Sequence, residues 1–404
     1  MMHTLGGRRV AQRRALRRST LLVLAAAPLT TLFAAGAAGA PPADPLPELD
    51  AVRLRGALAG LPDRDVTGAI LRVSGQAGRW SGSAGVTRLR SQRRPHPDGR
   101  FRIGSVTKMF TATIALQLAA EGELELDRPV QRYLPDVLPR RYPRVLVSQL
   151  LNHTSGLPDS TEDAGAVDPR WYVAHRFDHH SPREVVATAT TGPMIHAPGA
   201  AQRYNGLNYF LAGMVIEKVT GRSYAHELAA RITGPLALHD TYLPTHNDPR
   251  LRGRHAHGYL RIRERFVDVT AQSPYPWAEG GMISSAPDLA HFLRALFRGG
   301  LLPDPQQHAL FTIPRVPYAD ADNCSRGPTA GHACFSMGLT RTVLPNGVRV
   351  WGKSGSTHGY ANAAFATRDL RRVLVYSLNP TGNRDGSEGS YVQRIIAAVL
   401  DPAM

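Results

Sequence analysis

The chain has 404 residues, 43% of them hydrophobic, and a formal net charge of +16 at pH 7. That length exceeds one ordinary domain, and the composition is that of a globular protein with a large core rather than a low-complexity one. With only two cysteines it is not a fold held mainly by disulfides.

The first segment does not belong to that core. Arg8 to Arg18 carry six arginines and no acid, and Leu21 to Ala35 form an apolar run that leads into small residues and Pro41-Pro42. This is the three-part layout of a secretory signal over residues 1–37. Ala35-Gly36-Ala37 fits the small-x-small cleavage pattern; Ala38-Gly39-Ala40 fits too, but would leave Pro41 just after the cut. Arg17-Arg18-Ser19-Thr20-Leu21-Leu22 faintly resembles a twin-arginine export signal. An uncleaved anchor is the alternative, since the small-residue tail stretches the run to about 20 residues. Six of the 48 cations and none of the 32 acids lie in 1–37, so the mature net charge is +10. That suits work beside an anionic envelope polymer. No clustered basic stripe or aromatic ladder points to nucleic acid. No later stretch of about 18 apolar residues predicts a membrane span.

Residues 38–48 read as a Pro-rich tether. Val52 to Leu58 form a short helix. Thr67 to Gly75 and Arg79 to Thr87 are two strands around Gly75-Gln76-Ala77-Gly78, a hairpin. Gln92 to Gly99 is loop. After Phe101-Arg102-Ile103-Gly104 a helix runs from Ser105 to Ala120 and stops at Gly122. From Leu124 to about Tyr259 the pattern is helical with Pro-rich breaks. Its clearest helix is Leu207 to Val219, ended by Gly221, followed by Ser223 to Arg231 with Ser223 as N-cap. After Gly280 a short strand leads into Ser285-Ala286-Pro287-Asp288 and a helix through Leu289 to Phe297. The end turns to strands at Phe335 to Leu344, Val348 to Gly352, Ala361 to Thr367 and Val373 to Leu378, with Pro345-Asn346-Gly347 as a hairpin turn. Val392 to Leu400 closes as a helix. Strands at both ends with helices between predict one α/β domain built from 49–123 and 275–400, and a helical domain inserted at 124–274.

The chemistry is read first from the lysines. Only Lys108, Lys218 and Lys353 occur; the other 45 cations are arginine. Arginine cannot be deprotonated in a protein, whereas a buried lysine can. Lys108 lies one helical turn after Ser105, on the same face, and Lys353 opens Lys353-Ser354-Gly355 on a strand. A serine is a poor nucleophile unless a base stands within hydrogen-bond reach, which this lysine satisfies. A second cation nearby favours the free-base form of Lys108.

Ser105-Val106-Thr107-Lys108, Tyr204 in Arg203-Tyr204-Asn205-Gly206, and Gly352-Lys353-Ser354-Gly355-Ser356 occur together with two longer stretches. These are Leu150-Leu151-Asn152-His153-Thr154-Ser155-Gly156-Leu157-Pro158 and Gly280-Gly281-Met282-Ile283-Ser284-Ser285-Ala286-Pro287-Asp288-Leu289. In this order they resemble the serine penicillin-recognising hydrolases, the group of D-alanyl-D-alanine carboxypeptidases, class C β-lactamases and related esterases, over roughly 50 to 398. The resemblance implies an α+β, β-lactamase/transpeptidase-like fold. An antiparallel sheet would be flanked by N- and C-terminal helices, with the active site between it and the inserted helical domain. It implies that Ser105 forms an acyl-enzyme, Lys108 shares or takes its proton, and Tyr204 shuttles a proton to the leaving group or from water. Lys353 would edge the site. The N–H groups of Ser105 and Ser356 would form the oxyanion hole, and the Ser354 and Ser356 hydroxyls, beside Gly355, would hold a substrate carboxylate. Trp277 would line the cleft, and Arg341 is a further carboxylate anchor. Two positions depart from the pattern. Gly206 stands where the family carries an asparagine, with Asn205 and Asn208 near but off-register, and Ser354 replaces a threonine.

Other motifs carry less. Gly347 to Ser354 satisfies the P-loop spacing, but its residues are β-forming and Gly355-Ser356-Thr357-His358-Gly359 does not start a helix. His255-Ala256-His257 puts two imidazoles on one strand face, short of a metal set. His153 reads as a structural turn residue and Lys218 as a surface charge. Cys324 and Cys334, ten apart, form one disulfide in an exported protein or remain two separate thiols. The expectation is an exported, monomeric serine hydrolase of the cell envelope, without metal or cofactor. Its substrate would be a peptidoglycan stem peptide ending in D-Ala-D-Ala or another small acyl compound, with β-lactamase-like esterase, or a peptide-binding protein with little turnover, as alternatives. No nucleic acid is expected, and membrane contact only through an uncleaved signal.

Overall fold

A computed structural model describes residues 46–76, 78–159, 168–245 and 248–401. The expected leader, 1–37, and the tether up to residue 45 lie outside them. Among the described residues no helix is long and apolar enough to cross a membrane.

Six antiparallel strands form the main sheet, in the order β2-β1-β10-β9-β8-β7. They are β1 (Val66–Gly75), β2 (Gly78–Gly85), β7 (Thr340–Val343), β8 (Arg349–Thr357), β9 (Tyr360–Thr367) and β10 (Val373–Pro380). The chain's two ends meet where β1 pairs with β10, Leu71 opposite Tyr376 and Val73 opposite Leu374. β1, β9 and β10 are buried on both faces, which is why they read as near-continuous apolar runs.

One face is covered by α1 (Ala51–Ala57) and the C-terminal helix Gly389–Val399, through Leu54, Leu71, Leu378, Ile395 and Val399. Asp50 caps α1 by accepting from the Val52 N–H at 2.7 Å. Against the other face lie α2 (Thr107–Ala120) and the helix Ala286–Phe297, whose Phe110 and Phe292 rings stack at 3.9 Å. Nearly every side chain of α2 from Thr107 to Leu118 is buried. Sheet, helix Leu207–Thr220 and neighbouring turns surround it, so it shows no polar stripe. Two small pairs complete the strands: β3 (Arg100–Arg102) with β6 (Ile283–Ser285), and the hairpin β4 (Tyr259–Ile262) with β5 (Arg265–Asp268).

The differences from expectation are local. Ser105 sits in a 3₁₀ turn, Gly104–Val106, and α2 begins only at Thr107. The strand expected at 335–344 shrinks to β7, because Ser336 and Gly338 turn back toward α2. The hairpin at 259–268 lies inside the span expected to be helical domain, 124–274; Arg263, at φ 56°, makes its turn. β8 runs unbroken through Lys353, so the P-loop spacing is a strand.

The sheet and the Ser105 turn approach closely at two glycines. A Cβ on Gly355 would stand 2.1 Å from the Ile103 carbonyl oxygen, and one on Gly104, itself at φ +50°, 2.7 Å from the Ser356 nitrogen. Gly355→Ala should therefore lower unfolding stability by about 1–3 kcal/mol, since backbone must move to admit the methyl. Urea unfolding monitored by circular dichroism checks this; an unchanged midpoint would contradict the contact.

Candidate active site

Four elements converge on the Ser105 hydroxyl. The 3₁₀ turn presents it, and α2 supplies Lys108, whose Nζ donates to Ser105 Oγ at 3.1 Å. The segment leading into helix Leu207–Thr220 supplies Tyr204, whose hydroxyl donates to the same oxygen at 2.7 Å. β8 supplies Lys353, with its Nζ 4.5 Å from the centre of the Tyr204 ring; Lys108 Nζ stands 5.1 Å from it. Both ammonium groups are buried, Lys108 with 0% and Lys353 with 4% exposure.

Tyr204 is held from behind. Its ring lies 4.7 Å from that of His153 and 5.3 Å from that of Phe335. His153, at φ 61°, accepts from the Asn205 N–H at 3.3 Å. Burial, with Lys108 and Lys353 beside it, keeps His153 well below the usual histidine range, so it is a neutral wall. Phe335 is fixed by the buried Gln202. That amide donates to the Phe335 carbonyl at 2.8 Å and accepts from the Cys334 and Phe335 N–H groups at 2.9 and 3.0 Å. Cys324 and Cys334 are joined in a disulfide, and both pack with Phe335 and Tyr318 in one small apolar cluster.

The sequence reading missed Glu279. Its carboxylate forms an ion pair with Lys108 Nζ, and its carbonyl accepts from the same Nζ at 3.0 Å. Burial works against the Lys108 charge, but Glu279 and then Tyr204 outweigh it and raise the lysine above its ordinary value. This corrects the expectation of a free-base Lys108: a carboxylate in contact holds the proton more strongly than a second cation repels it. Tyr204 shifts the other way. Burial disfavours its phenolate, but Lys108 and Lys353 overcome that and lower its pKa. Lys353 is itself lowered, chiefly by burial. Of the two groups that donate to Ser105 Oγ, the phenol is therefore the one eased toward deprotonation. Gly206 leaves this carboxylate room, since a Cβ there would lie 3.1 Å from Glu279 Oε1. The only sequence signal was this pair: a missing side chain at 206 and an acid in the otherwise apolar approach to Gly280-Gly281. Asn205 and Asn208 do not fill in. Asn205 Nδ2 donates to the Leu157 and Pro158 carbonyls at 2.8 and 3.0 Å, and Asn208 Oδ1 accepts from Ser155 at 2.6 Å.

These groups open on a cleft of about 750 Å³, in which Ser105 and Ser356 share the floor with Gly206 and Glu279. Trp171, Tyr172 and Tyr275 form an aromatic wall. At the rim Arg203 is paired with Asp159 at 2.8 Å and Asp320 at 2.7 Å.

Several expected residues fall elsewhere. Trp277 does not line the cleft. Its residue sits at φ 40°, opening a short helix, and its ring is turned against Tyr224 at 5.5 Å and over Gly213; Tyr275 is the aromatic on the cleft side. Ser354 is exposed and outside the cleft lining, because strand alternation turns it from the face that carries Lys353. Gly355 contributes closeness of backbone rather than a ligand. Arg341 lies over the Trp351 ring at 5.9 Å, away from the cleft, and Lys218 is exposed. The His255 and His257 rings stand 5.3 Å apart, with His257 bonded to Asp268 at 2.6 Å. Among the described residues no group of three His, Cys, Asp or Glu could hold a metal ion.

Comparison with known proteins places this geometry. The model of the family described as Beta-lactamase matches residues 51–398. Esterase EstB of Burkholderia gladioli is 31% identical over 60% of this chain and 67% of its own length. Penicillin-binding protein 4* of Bacillus subtilis is 25% identical over 77% of this chain and 68% of its own. Among solved structures, a D-stereospecific amidohydrolase from Streptomyces sp. superposes with a TM-score of 0.76 at 34% identity, covering 88% of this chain and 100% of that one. D-amino acid amidase from Ochrobactrum anthropi gives 0.71 at 25% identity, covering 86% and 97%.

If Tyr204 accepts the serine proton, Tyr204→Phe should cut kcat/KM toward an activated ester by about 10²–10⁴-fold. The sign with pH follows from the lowered phenol. The wild-type rate rises as pH increases through a value below that of an ordinary tyrosine, and the Phe variant lacks this limb. A pH–rate profile of both proteins reads it; a Phe variant with a wild-type profile would remove Tyr204 from the chemistry.

Proposed function

The chain belongs to the Beta-lactamase family, a family of serine hydrolases, and we propose that it cleaves D-configured aminoacyl amides, esters or short peptides through a covalent intermediate on Ser105. The observation that carries this reading is the double hydrogen bond on Ser105 Oγ, from Tyr204 and from the Glu279-held Lys108, at the floor of the cleft.

The steps follow from the chain's own groups. With Tyr204 ionised and the Ser105 hydroxyl turned to donate to the phenolate, Ser105 Oγ attacks the carbonyl carbon while its proton passes to the Tyr204 oxygen. The N–H groups of Ser105 and Ser356 face the developing oxyanion. The tetrahedral species collapses, and Tyr204 returns the proton to the departing nitrogen or oxygen. A water then repeats the sequence, giving its proton to Tyr204 and releasing the acid with Ser105 reprotonated. Lys108, paired with Glu279, keeps its charge beside the phenol throughout.

The substrate class rests on the cleft lining. It holds six carboxylates (Asp159, Asp178, Glu184, Glu279, Asp320 and Asp322) and three arginines (Arg176, Arg203 and Arg384), although the chain as a whole carries +16. Such a lining favours a substrate with a free ammonium group. The aromatic wall favours an apolar side chain. The D-stereospecific amidohydrolase and the D-amino acid amidase that this chain resembles support the D configuration.

Carboxypeptidase action on D-Ala-D-Ala stem peptides, in an exported protein, is the second reading, supported by the likeness to penicillin-binding protein 4* and by the arginine-rich, apolar start of the chain. It asks for a cation able to hold a terminal carboxylate, and Arg203 is already engaged by two aspartates.

Intact-mass measurement after mixing with D-phenylalanine methyl ester should reveal an aminoacyl adduct on the wild type and none on Ser105→Ala, with the L-enantiomer giving far less. D-phenylalanine amide should be hydrolysed faster than D-alanine is released from a D-Ala-D-Ala peptide. The reverse order would favour the second reading, and turnover unaffected by Ser105→Ala would sink both.

A further inference from the structure

The expectation of no clustered basic stripe is corrected: Arg88, Arg90, Arg93 and Arg94 lie within seven residues, and the fold adds Arg254 to them. A basin of about 1180 Å³ at the edge of the sheet is lined by Arg88, Arg90, Arg93, Arg94 and Arg254, with His96 beside them. It shares no lining residue with the catalytic cleft. Four of the arginines come from the segment that follows β2, the sheet's edge strand; the fifth arrives from far along the chain. All five are exposed.

These charges are not cancelled. Among the described residues no acid pairs with any of the five. The nearby Asp98 is taken by Arg72 and Asp268 by His257. Clustered like charges repel, and a fold keeps them together only at a cost in self-energy.

The backbone beneath them is pinned. The Thr87 N–H donates to the Arg93 carbonyl at 2.7 Å, and the His257 N–H to the Thr87 carbonyl at 2.7 Å. Ser83 Oγ donates to the Pro95 carbonyl at 2.6 Å, and the Leu89 N–H to the Tyr259 hydroxyl at 3.2 Å. Arg90 occupies the left-handed region at φ 67°. Arg254 is tied to His96 at 3.0 Å. The guanidinium groups thus project from a fixed frame, which reduces the entropy lost on binding.

We propose that this basin binds a flexible polyol-phosphate polymer, a chain of phosphodiesters without bases, which would hold the enzyme at an anionic surface. Guanidinium groups form paired hydrogen bonds to phosphate oxygens, and five spread over an open basin suit successive phosphates rather than one buried anion. Nucleic acid offers the same phosphates, but the lining contains no Trp, Tyr or Phe on which bases could stack. Leu89 is its only large aliphatic side chain, too little apolar surface for insertion into lipid. The inference does not rest on the acyl chemistry, because none of these residues touches Ser105 or the cleft.

The test uses the full chain and poly(glycerol phosphate), with single-stranded DNA of equal charge and neutral dextran as comparators, measured by fluorescence anisotropy over a series of salt concentrations. The wild type should bind the phosphate polymer at low salt, weaken steeply as salt rises, and bind it more tightly than DNA; dextran should not bind. The quadruple variant Arg88→Gln, Arg90→Gln, Arg93→Gln, Arg94→Gln should lose at least tenfold in affinity and much of the salt slope, with unchanged ester hydrolysis. The same four positions changed to Lys should keep most of the slope but only part of the affinity. Equal binding by the Gln variant, no wild-type binding at low salt, or tighter binding to DNA would each overturn the proposal.

Discussion

The hydrogen bond from the Tyr204 hydroxyl to Ser105, made between two buried ammonium groups, is the constraint that the rest of the site serves. Two cations and the Glu279 carboxylate leave one positive charge uncompensated in a buried place while the phenol is protonated. Burying unbalanced charge is costly, and the cost falls when Tyr204 gives up its proton. The lowered phenol pKa is thus a consequence of burying Lys108 and Lys353 beside one ring. It also sets a division of labour. Lys108 is fixed as a charge by its carboxylate partner, and the proton that must move belongs to the tyrosine.

Gly206, one of the two departures from the family pattern, and Glu279 belong to one arrangement. A Cβ at position 206 would press on the carboxylate at 3.1 Å, so Gly206 leaves Glu279 room beside Lys108. Glu279 faces both the lysine and the cleft. The other supports act on Tyr204 from outside the chemistry. His153 and Phe335 brace its ring, Gln202 clips the Phe335 backbone, and the Cys324–Cys334 disulfide joins the same cluster. Behind the serine, Gly104 and Gly355 let the turn rest directly on β8, and this contact brings Ser356 to the edge of the same cleft.

Much of this was legible because it is local. The β1–β2 hairpin, the helices after Ser105 and Gly206, and the stop at Gly221, which stands at φ +67°, follow from alternation, periodicity and glycine chemistry. The Ser223 and Ser285 caps are likewise observed, accepting from the His226 and Asp288 N–H groups at 3.2 and 3.4 Å. What was not legible depends on contacts between distant segments. Nothing near Glu279 in sequence says that it meets Lys108. The orientation of Trp277 is decided by a positive φ and by the space over Gly213. In the β4–β5 hairpin charged and apolar residues are paired across the strands, Arg261 opposite Phe266 and Ile262 opposite Arg265, so no clean alternation shows in the sequence. Lys108 was chosen correctly as a neighbour of Ser105, but its charge state required knowing its partner.

Ultraviolet difference titration of tyrosinate, comparing the wild type with Tyr204→Phe, bears most directly on the central claim. One phenolate should form in the wild type below the ordinary tyrosine range and be missing from the variant. Superimposable titrations of the two proteins would contradict the account, since Tyr204 would then be an ordinary buried phenol that the two lysines do not perturb.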